Sequence, residues 1–299
     1  MLEGFIPFSV VTQESPSVTI AGVQSAESSL PPLLLLHGFP QTYHMWHTVA
    51  PQLVDKYNVI IPDIRGYGSS SKPDGVEAYA KSAMARDMVV LMDKLGYKDE
   101  QFYVCAHDRG ARVAHKLCVD HPTRVKAAIL LDICPTLAMY EATNLDFAKA
   151  YFHWFFLIQA APMPELAILG AGQKFSELYF GARQGDSLTI FTEECFQIYS
   201  AALRDEPTVH AMCNDYRAAA TVDMEESRED LKNGRLIKCP LRVIWGKKGV
   251  IEAMFDAVKE WQAVSDASIK VEGYAVESGH YVPEERPDDV VKAICEFLC

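Results

Sequence analysis

Tyr103-Val104-Cys105-Ala106-His107-Asp108-Arg109-Gly110-Ala111-Arg112 is the stretch on which the fold turns. A short apolar run stops at a small residue, presents a side chain that can act as a nucleophile, and reaches glycine two residues later. That order reads as strand, sharp turn, helix, the small-x-nucleophile-x-Gly pattern of a nucleophile elbow. The turn is tight and needs small flanking residues, which Ala106 and Gly110 supply. Asp108 is then expected at a helix N-terminus, where unpaired amides and the positive dipole end keep a carboxylate ionised and able to attack an electrophilic carbon. An aspartate after a strand also caps helices with no further duty, so the rest of the chain decides between the two.

Upstream, Leu33-Leu34-Leu35-Leu36 is an unbroken apolar run of the kind a strand buried on both faces shows, and it ends in His37-Gly38-Phe39-Pro40. Elbow-bearing folds draw their second oxyanion donor from the loop after this strand, so the backbone N–H groups of Phe39 and Arg109 form the expected pair. Phe5 to Val11 and Ser17 to Val23 read as an antiparallel pair. A helix is predicted around Met45 to Val54, then a buried strand over Asn58 to Ile61 that runs into Pro62-Asp63-Ile64-Arg65-Gly66-Tyr67-Gly68. Ala80, Ala83, Met84, Met88, Leu91, Met92 and Leu95 recur at helical spacing, the core stripe of a helix ended by Gly96. Downstream, Ala127 to Leu131 is another apolar strand, ending at Asp132.

Strands alternating with helices predict a mostly parallel sheet covered by helices on both faces, with its sites at the strand C-termini, where Asp63, Asp108 and Asp132 fall. From about Pro135 to Asn233 the strand rhythm vanishes in favour of an aromatic, helical pattern broken at Pro162, Pro164, Gly170, Gly172 and Gly181. This predicts a core domain made of residues 1–134 and 234–299 with a helical cap inserted over 135–233. The alternation resumes with Leu241 to Trp245, a helix near Glu252 to Val264, a strand near Ile269 to Tyr274, the loop Ser278-Gly279-His280, and a final helix after Pro287.

A chain of 299 residues, 49% of them hydrophobic, can bury one large core and a cap. Its net charge of −12 argues against nucleic acid or an anionic membrane as partner. It leaves room for a small anion, because distant surface charge is screened beyond about 8 Å while a local arginine pair acts at contact range. The eight cysteines include no Cys-x-x-Cys pair and read as reduced core residues of a cytoplasmic protein. Glu3 and Pro7 interrupt any signal-peptide pattern, and Cys299 is last where prenylation needs a cysteine fourth from the end, so neither export nor lipidation is expected. Phe152 to Gly172 is apolar but broken by Pro162, Pro164 and Glu165, and reads as a buried or pocket-facing cap segment rather than a membrane span. His44, His47, His115, His121 and His210 lack metal-ligand spacing, so no metal site is expected.

The order Asp108, Asp132, His280 is that of the α/β-hydrolase fold: nucleophile, acid, then base near the chain end. The acid commonly follows the strand Leu241 to Trp245, but there the chain reads Gly246-Lys247-Lys248-Gly249. Asp132 is therefore the expected acid, with Glu252 as the alternative. Arg109 and Arg112, three apart on the first turn of one helix, are surface neighbours. Two guanidinium forks beside a reacting centre are costly unless an anion sits between them; the plainer alternative is a pair of solvated arginines.

Over nearly its full length the chain resembles the α/β-hydrolase-fold fluoroacetate (haloacetate) dehalogenases, more closely than the epoxide hydrolases that share the His-Gly-x-Pro loop and the aspartate nucleophile. The specific marks are His107-Asp108-Arg109-Gly110-Ala111-Arg112, His153-Trp154-Phe155-Phe156-Leu157, Asn214-Asp215-Tyr216-Arg217-Ala218 and Ser278-Gly279-His280-Tyr281-Val282-Pro283-Glu284-Glu285. Epoxide hydrolases usually carry Trp where Arg109 stands, and polarise the epoxide with two cap tyrosines. The resemblance implies Asp108, Asp132 and His280 as catalytic triad, Arg109 and Arg112 as ligands of the substrate carboxylate, and His153, Trp154 and Tyr216 as ligands of the departing halide. Each of these last three brings an N–H or O–H donor to an otherwise apolar segment, although core filling alone also explains such aromatics. The expected activity is cofactor-independent hydrolysis of a small anionic 2-halo acid to a 2-hydroxy acid, in a chain that the resemblance also suggests is a homodimer. An epoxide hydrolase and a non-catalytic hydrolase-fold binding protein are the two rivals.

Overall fold

The computed structural model of the protein describes residues 2–26, 29–182 and 188–298. Eight strands form one sheet: β1 (Ile6–Glu14), β2 (Ser17–Gln24), β3 (Pro32–Leu36), β4 (Asn58–Pro62), β5 (Phe102–His107), β6 (Val125–Leu131), β7 (Leu241–Gly246) and β8 (Glu272–Val276). Their spatial order is β1-β2-β4-β3-β5-β6-β7-β8. The hairpin β1–β2 and the β2–β4 pair are antiparallel, and every pairing from β4 to β8 is parallel. Strands β3, β4 and β5 are buried at every residue, as parallel strands covered on both faces must be.

The helices before the insertion are α1 (Lys81–Met92) and α2 (Asp108–Asp120), which pack on each other. Between β6 and β7 the described residues hold helices and no strand: α3 (Thr136–Glu141), α4 (Leu145–Ala150), α5 (Phe152–Leu157), α6 (Met163–Ala171), α7 (Gln173–Ala182), α8 (Glu193–Ala202), α9 (Glu206–Ala220) and α10 (Val222–Lys232). The chain finishes with α11 (Val250–Met254), α12 (Ala257–Gln262), α13 (Val282–Glu285) and α14 (Pro287–Phe297). This is the α/β-hydrolase fold expected from the sequence. None of the helices among the described residues is long and apolar enough to cross a membrane.

Four local expectations need correction. The helix predicted around Met45 to Val54 is a pair of 3-10 turns, Tyr43–Trp46 and Ala50–Gln52. Met45, Trp46, Val49 and Ala50 are buried at spacings that a 3-10 turn also satisfies, and Pro51 withholds an N–H from any continuous ladder. The helix near Glu252 to Val264 is split into α11 and α12, because Phe255 is extended and Asp256 caps α12 by accepting the Lys259 N–H at 3.1 Å. The last strand begins at Glu272, three residues later than predicted, where pairing with Arg242 sets its register. The apolar stretch Phe152 to Gly172 is not buried throughout: Phe152, Met163 and Leu166 are exposed, while His153, Trp154 and Leu157 turn inward.

Candidate active site

Strand β5 delivers Asp108 to the first position of α2 through a turn that holds its φ at +46°. A non-glycine residue in the left-handed region carries strain that tight packing must offset. That packing is severe at two glycines. A Cβ on Gly110 would lie 2.3 Å from the His37 carbonyl oxygen, and one on Gly38 would lie 2.6 Å from the Asp108 Cβ. The first lets α2 approach β3; the second brings the loop after β3 against the Asp108 side chain. There the Phe39 N–H donates to Asp108 Oδ2 at 3.0 Å, which leaves Oδ1 as the other oxygen of the carboxylate. Burial pushes the Asp108 carboxyl up, but its electrostatic interactions with His280, His107, Arg112 and Arg109 more than offset that, so its pKa falls below the ordinary value.

Asp132 ends β6 in the same left-handed conformation, at φ +53°. Its Oδ2 lies 2.6 Å from His280 Nδ1, and its Oδ1 accepts the Gly246 N–H at 2.9 Å. The three groups come from the ends of β6 and β7 and from the loop after β8, as the sheet order dictates. Glu252, the sequence alternative, is exposed and accepts the Trp245 indole N–H, so it does not partner His280. Asp63 has another occupation: its carboxylate accepts the Tyr43 and Ser69 amides at 2.9 and 2.8 Å and ties down the loop after β4.

His107 was not anticipated. Its ring lies 4.8 Å from that of His280, and its Nε2 is 2.8 Å from the His280 carbonyl oxygen. Burial first, then the nearby His280, lowers its pKa to about 4. His107 is therefore neutral at pH 7, and since a carbonyl only accepts, its proton sits on Nε2.

The plainer alternative for the two arginines fails. Neither is solvated: Arg109 is 1% exposed and Arg112 3%. Arg109 is already engaged by a carboxylate of the protein's own, which leaves only its Nη1 without an acceptor. Its Nε and Nη2 donate to the two Asp215 carboxylate oxygens at 2.8 and 2.7 Å, and Nη2 also reaches the Asp215 carbonyl at 2.8 Å. Asp215, fully buried on α9, accepts further from Lys81 Nζ at 2.5 Å and from the Tyr67 hydroxyl at 2.7 Å. Burial pushes its carboxyl up, but Arg109 and Lys81 hold it far below the usual carboxylate range. Arg112 is bound only by neutral groups, the Cys134 carbonyl at 3.2 Å, Thr136 Oγ1 at 2.9 Å and the Met139 sulfur at 3.4 Å. It remains a buried cation beside Asp108 with no carboxylate within ion-pair distance among the described residues.

The inserted helices bring the aromatic candidates to the same place. His153 stacks near Phe39 at a ring separation of 6.3 Å, and Tyr216 meets the Phe39 ring edge-on at 5.2 Å and the His153 ring at 5.8 Å. The Arg109 guanidinium lies 4.3 Å above the Tyr216 ring, and that of Arg112 lies 4.7 Å above Trp154. Arg109 Nη1, Arg112 Nε and Trp154 Nε1 are buried donors without an acceptor. Such groups are rare in native structures because each costs about 1–3 kcal/mol.

A buried, ionised aspartate at a strained elbow, next to a histidine oriented by a second aspartate, defines a hydrolase of the α/β type. The comparisons agree. A family model described as the alpha/beta hydrolase fold matches residues 31–188, and the chain belongs to that family. It is 40% identical over 274 residues, 90% of this chain and 87% of the relative, to a fluoroacetate dehalogenase from Burkholderia sp.. A soluble epoxide hydrolase from Corynebacterium sp. (strain C12) is 30% identical over 270 residues, covering 89% of this chain and 90% of the relative. Among solved structures, a variant of a Pseudomonas aeruginosa protein provisionally named an epoxide hydrolase, with bound MFA, matches at TM-score 0.91 and 37% identity over 100% of this chain and 97% of the other.

Proposed function

We propose that the protein hydrolyses the carbon–halogen bond of small 2-halo acids through an aspartyl ester, with the inserted helices as a cap over the site. The observation that carries this reading is the set of buried donors without acceptors, Arg109 Nη1, Arg112 Nε and Trp154 Nε1: both arginines act on the Asp108 carboxylate, and Trp154 stacks on Arg112. An anion is the chemistry that satisfies them. In this mechanism the substrate carboxylate lies against Arg112 and the open face of Arg109, and Asp108 Oδ1 attacks the halogen-bearing carbon in line. The C–O bond forms as the carbon–halogen bond breaks, and the halide leaves toward His153, Trp154 and Tyr216. His280, oriented by Asp132, then takes a proton from water, which adds to the ester carbonyl. That carbonyl oxygen is Oδ2, already on the Phe39 N–H, and the Arg109 amide is the second donor; as the adduct collapses the Cγ–Oδ1 bond breaks, and the 2-hydroxy acid leaves carrying Oδ1 and the proton returned by His280. The free cysteines, six of the seven described being buried, support the cytoplasmic setting expected from the sequence.

The test is a panel of fluoroacetate, chloroacetate and a terminal epoxide, scored for halide and diol. Halide release with little diol is expected; diol as the main product overturns the reading. Arg112→Leu should raise KM for the acids by about tenfold to a hundredfold, since a charge-assisted hydrogen bond to the substrate is lost, and should not weaken use of a neutral substrate. An unchanged KM removes Arg112 from substrate binding.

The epoxide alternative rests on the Tyr140 hydroxyl, buried without an acceptor near Trp154, which could polarise an epoxide oxygen. The unneutralised Arg112 weighs against it, because a neutral substrate leaves that buried cation without an anion.

Trp154→Phe separates the two further. It keeps the stacking face for Arg112 and removes only the N–H. Fluoride gains most from hydrogen bonding as it departs, so kcat for fluoroacetate should fall about tenfold, and that for chloroacetate by less. Equal losses on both substrates would assign Trp154 to shaping the pocket alone.

A further inference from the structure

Away from the site just described, three chemically different donor atoms converge where the inserted helices meet the sheet domain. His47 Nδ1 sits just after the first 3-10 turn, Cys195 Sγ in the first turn of α8, and Glu284 in α13. The Sγ–Nδ1 distance is 3.6 Å and the Nδ1–Oε2 distance 3.8 Å, and all three donor atoms lie within 4.8 Å of one another. An imidazole nitrogen, a thiolate and a carboxylate oxygen are zinc's usual partners. Tetrahedral coordination at Zn–N, Zn–S and Zn–O distances of about 2.1, 2.3 and 2.1 Å separates N from S by about 3.6 Å and N from O by about 3.4 Å. The first spacing is already present, and a small rotation of the carboxylate supplies the second.

The Glu284 carboxylate provides an independent pointer. Its side chain is 1% exposed. Oε1 accepts from the Tyr199 hydroxyl at 2.8 Å and from Gln41 Nε2 at 3.1 Å, whereas Oε2, on the side of His47 and Cys195, is buried with no hydrogen-bond partner. Tyr199 and Gln41 thus orient one oxygen and leave the other to the cluster, as outer groups do around a metal ligand. A solvent-open cleft lined by His44, His47, Thr192, Glu194 and Cys195 gives an ion access, and a water a place as the fourth ligand.

We propose that His47, Cys195 and Glu284 bind a zinc-like divalent ion that ties α8 of the inserted segment to the sheet domain. Binding releases to solvent the Cys195 thiol proton and the proton that burial keeps on Glu284 by raising its pKa to about 8, and moves the His47 ring proton to Nε2. The bond from Nδ1 to the His44 carbonyl, now 3.0 Å, is given up in exchange. Sequence spacing does not reveal such a site because its ligands are 148 and 89 residues apart along the chain, unlike the short-range ligand pairs of zinc motifs.

The experiment titrates metal-free, full-length protein with Zn²⁺ in competition with a chromophoric chelator, and with Co²⁺ as a spectroscopic probe. One equivalent should bind, raising the thermal midpoint, and Co²⁺ should show thiolate charge-transfer absorption. Cys195→Ser should weaken binding about a hundredfold and abolish that absorption. His47→Gln, at a partly exposed position, should weaken binding comparably and carries the test if the cysteine variant fails to fold. Absence of stoichiometric binding overturns the proposal. So does binding that survives both variants, which would place the ion at other thiols such as Cys118 and Cys239, 3.7 Å apart. Because the readout is metal binding, either result is independent of the dehalogenase reading.

Discussion

Asp108→Asn should abolish halide release, lowering turnover by about 10⁴-fold or more, since no other group is placed to form the covalent bond. The amide fits the same elbow and can keep its carbonyl on the Phe39 N–H, so the loss belongs to chemistry rather than to folding. The route itself is read by isotope. In single turnover with wild-type enzyme in heavy-oxygen water, label should enter the Asp108 carboxylate, and the first product should carry unlabelled oxygen. Label passing directly into product would mean direct attack by water. His280→Asn divides the same reaction at its midpoint. Attack by Asp108 needs no base, whereas hydrolysis of the ester does. This variant should release one equivalent of halide and then stop, with the mass of the protein raised by a carboxymethyl group. An inactive variant with neither burst nor adduct contradicts that division.

The second large effect is on stability. Asp215 and Arg109 are buried and paired through two hydrogen bonds, with Lys81 and Tyr67 on the same carboxylate. Removing one partner of such a pair leaves uncompensated charge in the interior and costs about 3–5 kcal/mol. Asp215→Asn should therefore lower the free energy of unfolding in urea by roughly that amount at pH 7. The pH dependence has a definite sign. The folded-state pKa of Asp215 is depressed, so the unfolded chain takes up the proton first as pH falls. The stabilisation is complete above the unfolded carboxylate value of about 4 and is lost progressively below it. The gap between wild type and variant should thus be constant from pH 7 to 5 and close in more acid solution. A difference under about 1 kcal/mol at pH 7, or one that does not narrow with acid, would show that Asp215 is not the counter-charge the geometry makes it. Lys81 retains Asp223 at 3.3 Å, so the consequence falls chiefly on Arg109, and with it on the loop and aromatic residues it touches.

The contiguous features were legible from the chain alone. The elbow of residues 103–112 is set by hard-sphere limits on neighbouring residues, so small residues at Ala106 and Gly110 announce a sharp turn wherever the strand lies. Asp132 and His280 were legible as candidates by a similar route: Asp132 directly follows an apolar strand and His280 stands in the loop after the last strand, and parallel strands bring their C-terminal ends to one edge of the sheet. The same reasoning placed Phe39 beside the elbow. What the chain alone could not decide was which charges meet. The sequence signalled that two close arginines require an anion, but Asp215 is 106 residues from Arg109 and reaches it only because the chain brings α9 to the first turn of α2. Tertiary packing therefore decided that Arg109 is held by the protein's own carboxylate while Arg112 stays a bare buried cation. It also decided that Glu252, at a permissible position in the chain, points to solvent, and that His47, Cys195 and Glu284 form a cluster. Local sterics act between neighbours in sequence and can be read there. Desolvation and Coulomb pairing act between neighbours in space, and exist only once the chain has closed on itself.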